Sequence, residues 1–414
     1  MNILVLTSAY PQEDDIGVVT PTVKYFSETW AKQGHSVIVV HNSSCFPKFF
    51  FMIPQKIRDL CSSYAGFTFP SIKSRNPIEK REENLLVSRM PMEKFIPHGR
   101  FSKKTIKKQL DSIRALLNRE QFVPDLIIGH WLNPQIEMLS KLGIEYNAKT
   151  SIVFHNDCSE KTIERFALLD RINELDAVGC RSKTYAQHVR EALNLDKMPF
   201  VCYSGIPDEF AEECERKLEN RKFDNIDEFL YVGRLVKYKR VDAILEALHQ
   251  VYQDRPFRFN IVGSGEEKDN LQRIVQRYKM NDRVNFLGKL SRVEAFQMMN
   301  SSTYFIMISE GETFGMVYIE AMLAGCITIA SKYGGVDGVI VDGLNGFLSE
   351  EGDSSKLAEK LQAILKLGSE SKKTIRVNAI KKALEFKDSS IAKQYLKNVL
   401  EWKEQVNEDK NVNA

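Results

Sequence analysis

Short apolar runs rich in β-branched residues alternate along the chain with stretches whose apolar positions recur every three or four residues. Asn2–Ser8 reads as a strand. Thr20-Pro21 is a helix start, a cap residue followed by proline at the first helical position. That helix runs to about Lys32, Gly34 ends it, and Ser36–His41 returns as a strand. After an irregular basic stretch, strands are predicted at Leu85–Arg89, Asp125–His130, Ser151–His155, Ala177–Ser182 and Phe200–Ser204. A charged, helix-friendly link, Glu209–Glu228, separates these from a second series at Phe229–Gly233, Arg258–Gly263, Val284–Gly288, Thr303–Ser309 and Cys326–Ser331. Strands separated by helices of roughly 10–15 residues imply parallel sheets covered on both faces. Two such series imply two doubly wound α/β domains, with ligands at the carboxyl ends of the strands. The last stretch, Ser389–Glu404, is one amphipathic helix with Tyr395, Leu396, Val399, Leu400 and Trp402 on its apolar side.

Composition agrees with that organisation. A chain of 414 residues is too long for one ordinary core, and 43% apolar with 27% charged residues is a globular balance. No apolar run approaches the roughly 20 residues of a membrane helix. The start, Met1 to Ser8, lacks a basic flank and reads as a strand rather than a signal peptide. Seven cysteines stand singly with no C-x-x-C, which points to a reducing compartment, cytoplasmic by default, and against structural zinc. The net charge of +3 conceals an asymmetry: Cys45–Lys108 holds 14 Lys and Arg against 5 Asp and Glu, +9, so the remainder is −6. Within that block Phe46–Lys56 sets aromatics among lysines. Two readings of it stand level: an interface with an anionic membrane surface, or a buried Phe49–Ile53 with the lysines as a solvated face. The charge is accompanied by no recognisable nucleic-acid module.

The chemistry concentrates after strand Thr303–Ser309. Met316, Ile319, Met322 and Leu323 fall at helical spacing and Gly325 suits a helix terminator. Glu312 therefore lies in a loop at a strand's carboxyl end, and Glu320 within the helix that follows. The free N–H groups and positive dipole end of such a helix suit a phosphate, and a carboxylate beside them can accept two hydrogen bonds from sugar hydroxyls. An arbitrary pair of glutamates is most often solvated surface; the surrounding residues argue otherwise. The segment resembles the E-x7-E signature of retaining glycosyltransferase family 4, whose usual form runs from Ser through E-x-F-G to E-A-M-A-x-G. Ser309, Glu312, Phe314, Gly315, Glu320, Ala321, Met322 and Gly325 are in register with it, eight positions in seventeen residues.

Other segments add to the resemblance. Arg234 and Lys239, five residues apart after strand Phe229–Gly233, can neutralise a diphosphate leaving group without a metal. Gly233, Arg234, Leu235 and Lys239 match the family's G-R-L…K segment. Gly263-Ser264-Gly265 lacks the third glycine of a dinucleotide fingerprint, Lys268 standing in its place. It is either the family's turn near the nucleotide base or a purely structural tight turn. Gly334-Gly335-Val336-Asp337-Gly338 with Asp342-Gly343-Leu344-Asn345-Gly346 resembles a G-G-x-x-E…D-G-x-N-G stretch, except that Gly338 replaces the glutamate. Gly17 is the single glycine of a turn the family uses against the donor phosphates. His155 and His130 end adjacent strands; each alone is most often an ordinary satisfied histidine, and each matches a family histidine.

The resemblance implies a GT-B fold: two facing Rossmann-like domains, 1–206 on the acceptor side and 207–385 for the donor, with a C-terminal helix, 386–414, crossing back onto the first. It implies transfer from a nucleoside-diphosphate sugar to a glycan or lipid-linked acceptor, with retention of configuration, in cell-surface polysaccharide or glycolipid synthesis. Arg234 and Lys239 would face the diphosphate, Glu312 the transferred sugar and Glu320 the ribose. The Phe314-Gly315-Met316 backbone would face that sugar or the phosphates, with Gly17, Gly263 and Gly265 on the donor. His155 would shape the reacting centre, and His130 would lie on the acceptor side. No D-x-D occurs, and neither metal nor cofactor is implied. A GT-B epimerase and a non-catalytic nucleotide-sugar-binding subunit are the alternatives. The location expected is cytoplasmic, peripheral on the inner membrane face if the basic block binds lipid.

Overall fold

The computed structural model describes residues 1–11, 21–45, 76–94, 99–155, 158–217, 227–253, 255–312, 315–336 and 338–402. Gly17, Thr20, Phe314, Asp337 and most of the basic block, including Phe46–Lys56, lie outside the described residues. The chain divides into two compact units. The first comprises residues 1–181, 186–202 and 392–414, and the second 182–185 and 203–391.

The first unit is built on eight strands: β1 (Asn2–Thr7), β2 (Ser36–Cys45), β3 (Ile78–Glu82), β4 (Leu85–Glu93), β5 (Leu126–His130), β6 (Lys149–Phe154), β7 (Ala177–Cys180) and β8 (Phe200–Val201). Their order is β3-β4-β2-β1-β5-β6-β7-β8. All neighbours are parallel except β3, which runs antiparallel to β4. Ile3, Leu4, Val5 and Leu6 are all fully buried, as a central parallel strand with both faces covered requires. The helix Thr22–Lys32 buries Val23, Phe26 and Trp30 along one stripe. Trp30 Nε1 also donates to the Ala392 carbonyl at 3.0 Å, inside the C-terminal helix Asp388–Glu401.

The second unit holds β9 (Asp227–Val232), β10 (Phe257–Val262), β11 (Val284–Gly288), β12 (Tyr304–Met307), β13 (Ile327–Ser331) and β14 (Phe347–Ser349), in the order β11-β10-β9-β12-β13-β14. Every pairing is parallel. Each sheet winds outward first to one side and then to the other, so each has a switch point: between β1 and β5 in the first unit, and between β9 and β12 in the second. In such sheets the crevice at the strands' carboxyl ends, where the winding reverses, is the natural ligand position.

The expected strands recur with trimmed or extended ends, and three details differ. Pro21 stands at the N-cap position rather than as the first helical residue. Its carbonyl accepts from Tyr25 N at 3.0 Å, and Pro21 itself has no side-chain group to cap the turn. The irregular basic stretch contains β3, all five residues of which are exposed; it is an edge strand with no buried face to leave a pattern. β14 is three residues long and enters through a side-chain-built turn. Asn345 Oδ1 accepts from Val341 N at 2.7 Å, Asn345 Nδ2 donates to the Val339 carbonyl at 3.0 Å, and Asp342 Oδ1 accepts from Leu348 N at 2.8 Å. The D-G-x-N-G segment is thus a turn former here.

Replacing Trp30 with alanine should cost the first unit about 3–5 kcal/mol, since a large ring and its buried hydrogen bond are lost together. The check is the urea midpoint of that unit's transition, expected to fall; an unchanged midpoint contradicts this packing.

Candidate functional site

In the second unit the loops that follow β9 and β12 flank the switch point, and most of the expected donor residues lie on them or on the helix Met316–Leu323. After Gly233 the chain turns through Arg234, whose carbonyl accepts from Tyr231 Oη at 2.8 Å. It then makes a 3-10 turn over Lys237–Lys239. Arg240 takes a left-handed φ of +51° and separates that turn from the helix Val241–Val251. Lys239 is therefore in the turn and not in the helix. Its side chain, 11% exposed, forms an ion pair with Glu312, 14% exposed, on the loop after β12. Two further ties join these loops: Glu310 N donates to the Tyr238 carbonyl at 2.8 Å, and Arg240 pairs with Glu310. The Glu312 charge faces the phenols of Tyr231 and Tyr318, which burial first and that charge second hold firmly protonated. Arg234 is exposed and makes no ion pair with a described residue.

Gly315 opens the helix Met316–Leu323 with φ +58°, and a Cβ there would come within 2.6 Å of the Tyr318 ring. Both constraints select glycine. Met316 follows as the first helical residue, partly exposed. Glu320, one helical turn further along and 7% exposed, pairs through Oε1 with Arg292 Nε at 2.6 Å. Burial raises the Glu320 carboxyl above the ordinary carboxylate range, and the Arg292 charge and hydrogen bond pull it back. Arg292 is the first residue of the helix Arg292–Ser301, just past a capping box formed by Ser291 and Glu294. It was missed in the sequence, where a single arginine after a loop carries no mark of its partner.

Gly263 and Gly265 have a sufficient structural cause. A Cβ on Gly263, whose φ is +146°, would lie 1.8 Å from the Gly233 carbonyl oxygen, and one on Gly265 would lie 2.2 Å from that of Leu235. The turn after β10 is laid directly on the turn after β9 by backbone bonds from Gly233 N to the Val262 carbonyl and from Leu235 N to the Ser264 carbonyl, both 3.0 Å. These glycines therefore fix the loop that carries Arg234. Gly338 sits at φ +76°, a conformation that disfavours any side chain, including the glutamate expected by resemblance.

In the first unit, His130 ends β5 and His155 follows β6. Their rings meet, His130 Nδ1 lying 2.9 Å from His155 Nε2. Trp131 stacks on His155 with centroids 3.8 Å apart and planes at 14°. It does so at φ +64°, a strained value for a large side chain. Burial pulls His130 down to about 3 and His155 well below its ordinary value, the Arg181 charge adding to both. Both rings are neutral at physiological pH. Trp131 was also missed as a site residue; its signal was adjacency to His130.

Among the described residues no group of His, Cys, Asp or Glu is arranged to hold a metal ion, and no helix is long and apolar enough to cross a membrane. The six described cysteines are buried, and no disulfide joins any two of them.

Residues 212–382 match the family described as Glycosyl transferases group 1. An uncharacterized glycosyltransferase of Methanocaldococcus jannaschii is 25% identical over 362 residues, 83% of this chain and 88% of that one. The N-acetyl-alpha-D-glucosaminyl L-malate synthase of Bacillus anthracis is 25% identical over 254 residues, 61% of this chain and 65% of that one. Among solved structures, Anabaena HepE in complex with UDP superposes with a TM-score of 0.65 at 18% identity, covering 96% of this chain and 99% of that one. These likenesses support a glycosyltransferase. The matched span contains Arg234, Lys239, Arg292, Glu312 and Glu320, and the two doubly wound units are those of the GT-B fold.

The Arg292–Glu320 pair makes a prediction about stability. Arg292→Ala leaves a buried carboxylate without its cation, at a cost of about 3 kcal/mol near neutral pH. A carboxyl whose pKa is raised on folding favours the folded state below its unfolded pKa and loses that contribution as pH rises through the folded value. The penalty of Arg292→Ala should therefore shrink as pH falls toward about 5. Urea unfolding of both proteins at the two pH values checks this; a pH-independent penalty contradicts it.

Proposed function

We propose that the chain moves a sugar from a nucleoside-diphosphate sugar to a glycan or lipid-linked acceptor, with retention of configuration and without a metal or other cofactor. The observation that carries the reading is the convergence of Lys239, Glu312 and the start of helix Met316–Leu323 at the second unit's switch point, with Arg234 beside them and Glu320 one turn along. In this reading Arg234 and Lys239 offset the charge that builds on the leaving diphosphate. Glu312 orients the transferred sugar and Glu320 holds the ribose hydroxyls. The backbone of Gly315 and Met316 addresses that sugar or the phosphates, and Gly263 and Gly265 border the base; Phe314 and Gly17, expected beside them by resemblance, lie outside the described residues. The Lys239–Glu312 pair suits both roles, because each group is held in place by the other until the diphosphate and the sugar divide them. His155 meets the transferred sugar, while His130, expected on the acceptor side, is fully buried against it and supports it rather than touching the acceptor. That HepE was crystallised with UDP, and elsewhere with UDP-glucose, supports a nucleotide-sugar donor. The place of action is the cytoplasm, in the making of a surface polysaccharide or glycolipid.

Exposed charge supports a peripheral membrane contact. In the helix Lys103–Arg119, Ile106 and Leu110 turn inward while Lys103, Lys104, Lys107 and Lys108 are all exposed. Each cation near an anionic lipid surface contributes about 1 kcal/mol. Replacing all four with glutamine should strip most of the protein from anionic vesicles in a sedimentation assay, and undiminished binding contradicts the contact.

For the transfer itself, Glu320→Ala and Arg234→Ala should each lower turnover at least about 100-fold, the scale of losing one preorganised group, with circular dichroism unchanged. Nucleotide release with a competent acceptor measures it. Normal turnover in either variant overturns the assignment, and product formed with no acceptor present would show an epimerase instead.

A further inference from the structure

The two histidines of the first unit belong to a longer hydrogen-bonded line. His130, fully buried, faces His155 through Nδ1 at 2.9 Å and Tyr395 Oη through Nε2 at 3.2 Å. Tyr395 comes from the C-terminal helix and is 2% exposed. Its ring is fixed among Phe26, Trp30 and Phe200, with centroids 5.0, 5.3 and 5.6 Å away. On its far side the Tyr395 hydroxyl meets the Cys202 side chain. Arg181 in turn reaches Cys202, donating from Nη1 to the carbonyl at 2.5 Å and to Sγ at 3.6 Å.

A neutral imidazole carries one N–H, so only one of the two facing nitrogens can hold the proton between His130 and His155. The line can be polarised in two ways, and the buried guanidinium at its end chooses. Arg181 donates to the sulfur, whose thiol keeps its proton because burial pushes it up to about 11. A phenol is a better donor than an imidazole and an imidazole nitrogen the better acceptor, so the Tyr395 O–H points to His130 Nε2 and the His130 Nδ1–H to His155 Nε2. Both hydrogens point away from the cation. The opposite polarity would aim N–H and O–H dipoles at a buried positive charge, where low dielectric makes the penalty large.

We infer that Tyr395 is a positioning residue: through His130 it fixes His155 as the Nδ1–H tautomer, so that His155 offers a set hydrogen-bond donor to an oxygen of the transferred sugar. The tautomer follows from the first unit alone; its use on a sugar rests on the function proposed above. His155 remains partly accessible, and among the described residues no acceptor is bonded to its Nδ1. The stacked Trp131 ring holds the imidazole plane while leaving its edge available.

The test is nitrogen-15 histidine NMR on the full chain, with His155 assigned by the signal missing from His155→Gln. Wild-type protein should show protonated Nδ1 and bare Nε2 at both His130 and His155. Tyr395→Phe keeps the ring packing and removes the donor to His130 Nε2, so His155 should become a mixture of tautomers. Its kcat should fall about 10-fold, the scale of one hydrogen bond to substrate, with the donor KM unchanged. Nε2-protonated His155 in the wild type overturns the inference, as does a Tyr395→Phe protein that keeps the wild-type tautomer. A mixed tautomer with unchanged kcat overturns the donor role. If the wild type transfers no sugar at all, the proposed function fails, while the tautomer is still read directly from the spectrum.

Discussion

Lys239 and Glu312 meet between the loops that follow β9 and β12, and the second unit's candidate chemistry depends on that meeting. Two charged groups largely removed from water are costly unless each satisfies the other. The pair is therefore also a clamp, drawing together two loops separated by three strands in sequence but adjacent in the sheet. The clamp is reinforced from both sides. Glycines at 263 and 265 let the turn after β10 lie flat on the Arg234 turn, and Arg240 grips Glu310 one step away. What results is a fixed cationic and carboxylate surface at the strands' carboxyl ends, beside the start of helix Met316–Leu323.

The first unit follows the same logic with neutral groups. Its switch point lies between β1 and β5, and His130 stands at the end of β5. Burial keeps both histidines uncharged, so what they offer is direction, a donor or an acceptor in a set place, rather than charge. The C-terminal helix takes part directly: Ala392 accepts the Trp30 N–H and Tyr395 reaches His130. A segment that reads in isolation as an amphipathic closing helix thus reaches the strand ends through one hydroxyl.

Much of this was legible in the sequence because it rests on local pattern. Fully buried parallel strands are continuous apolar runs, so the strand ends could be placed; it was the family resemblance that singled out Arg234, Lys239, Glu312, His130 and His155 at those ends. What could not be read depends on long-range pairing. Arg292 finds Glu320 across 28 residues and Tyr395 finds His130 across 265; neither partner alters its neighbours' pattern. β3 was invisible for the opposite reason, since an exposed edge strand made mostly of charged residues has no buried face. The turn glycines were seen but their cause was not, because close approach of two backbones is a property of the sheet. Gly338 is instructive in the same way: its left-handed backbone accounts for the glycine.

The central claim is that the second unit carries the donor site and that the Lys239–Glu312 pair is its heart. Calorimetric titration of a panel of nucleoside diphosphates and their sugar conjugates into wild-type protein, Lys239→Met and Glu312→Gln tests it most directly. At least one nucleotide should bind the wild type, with affinity for the diphosphate lost in Lys239→Met and the gain from the attached sugar lost in Glu312→Gln. A nucleotide sugar that binds all three proteins equally well contradicts the account.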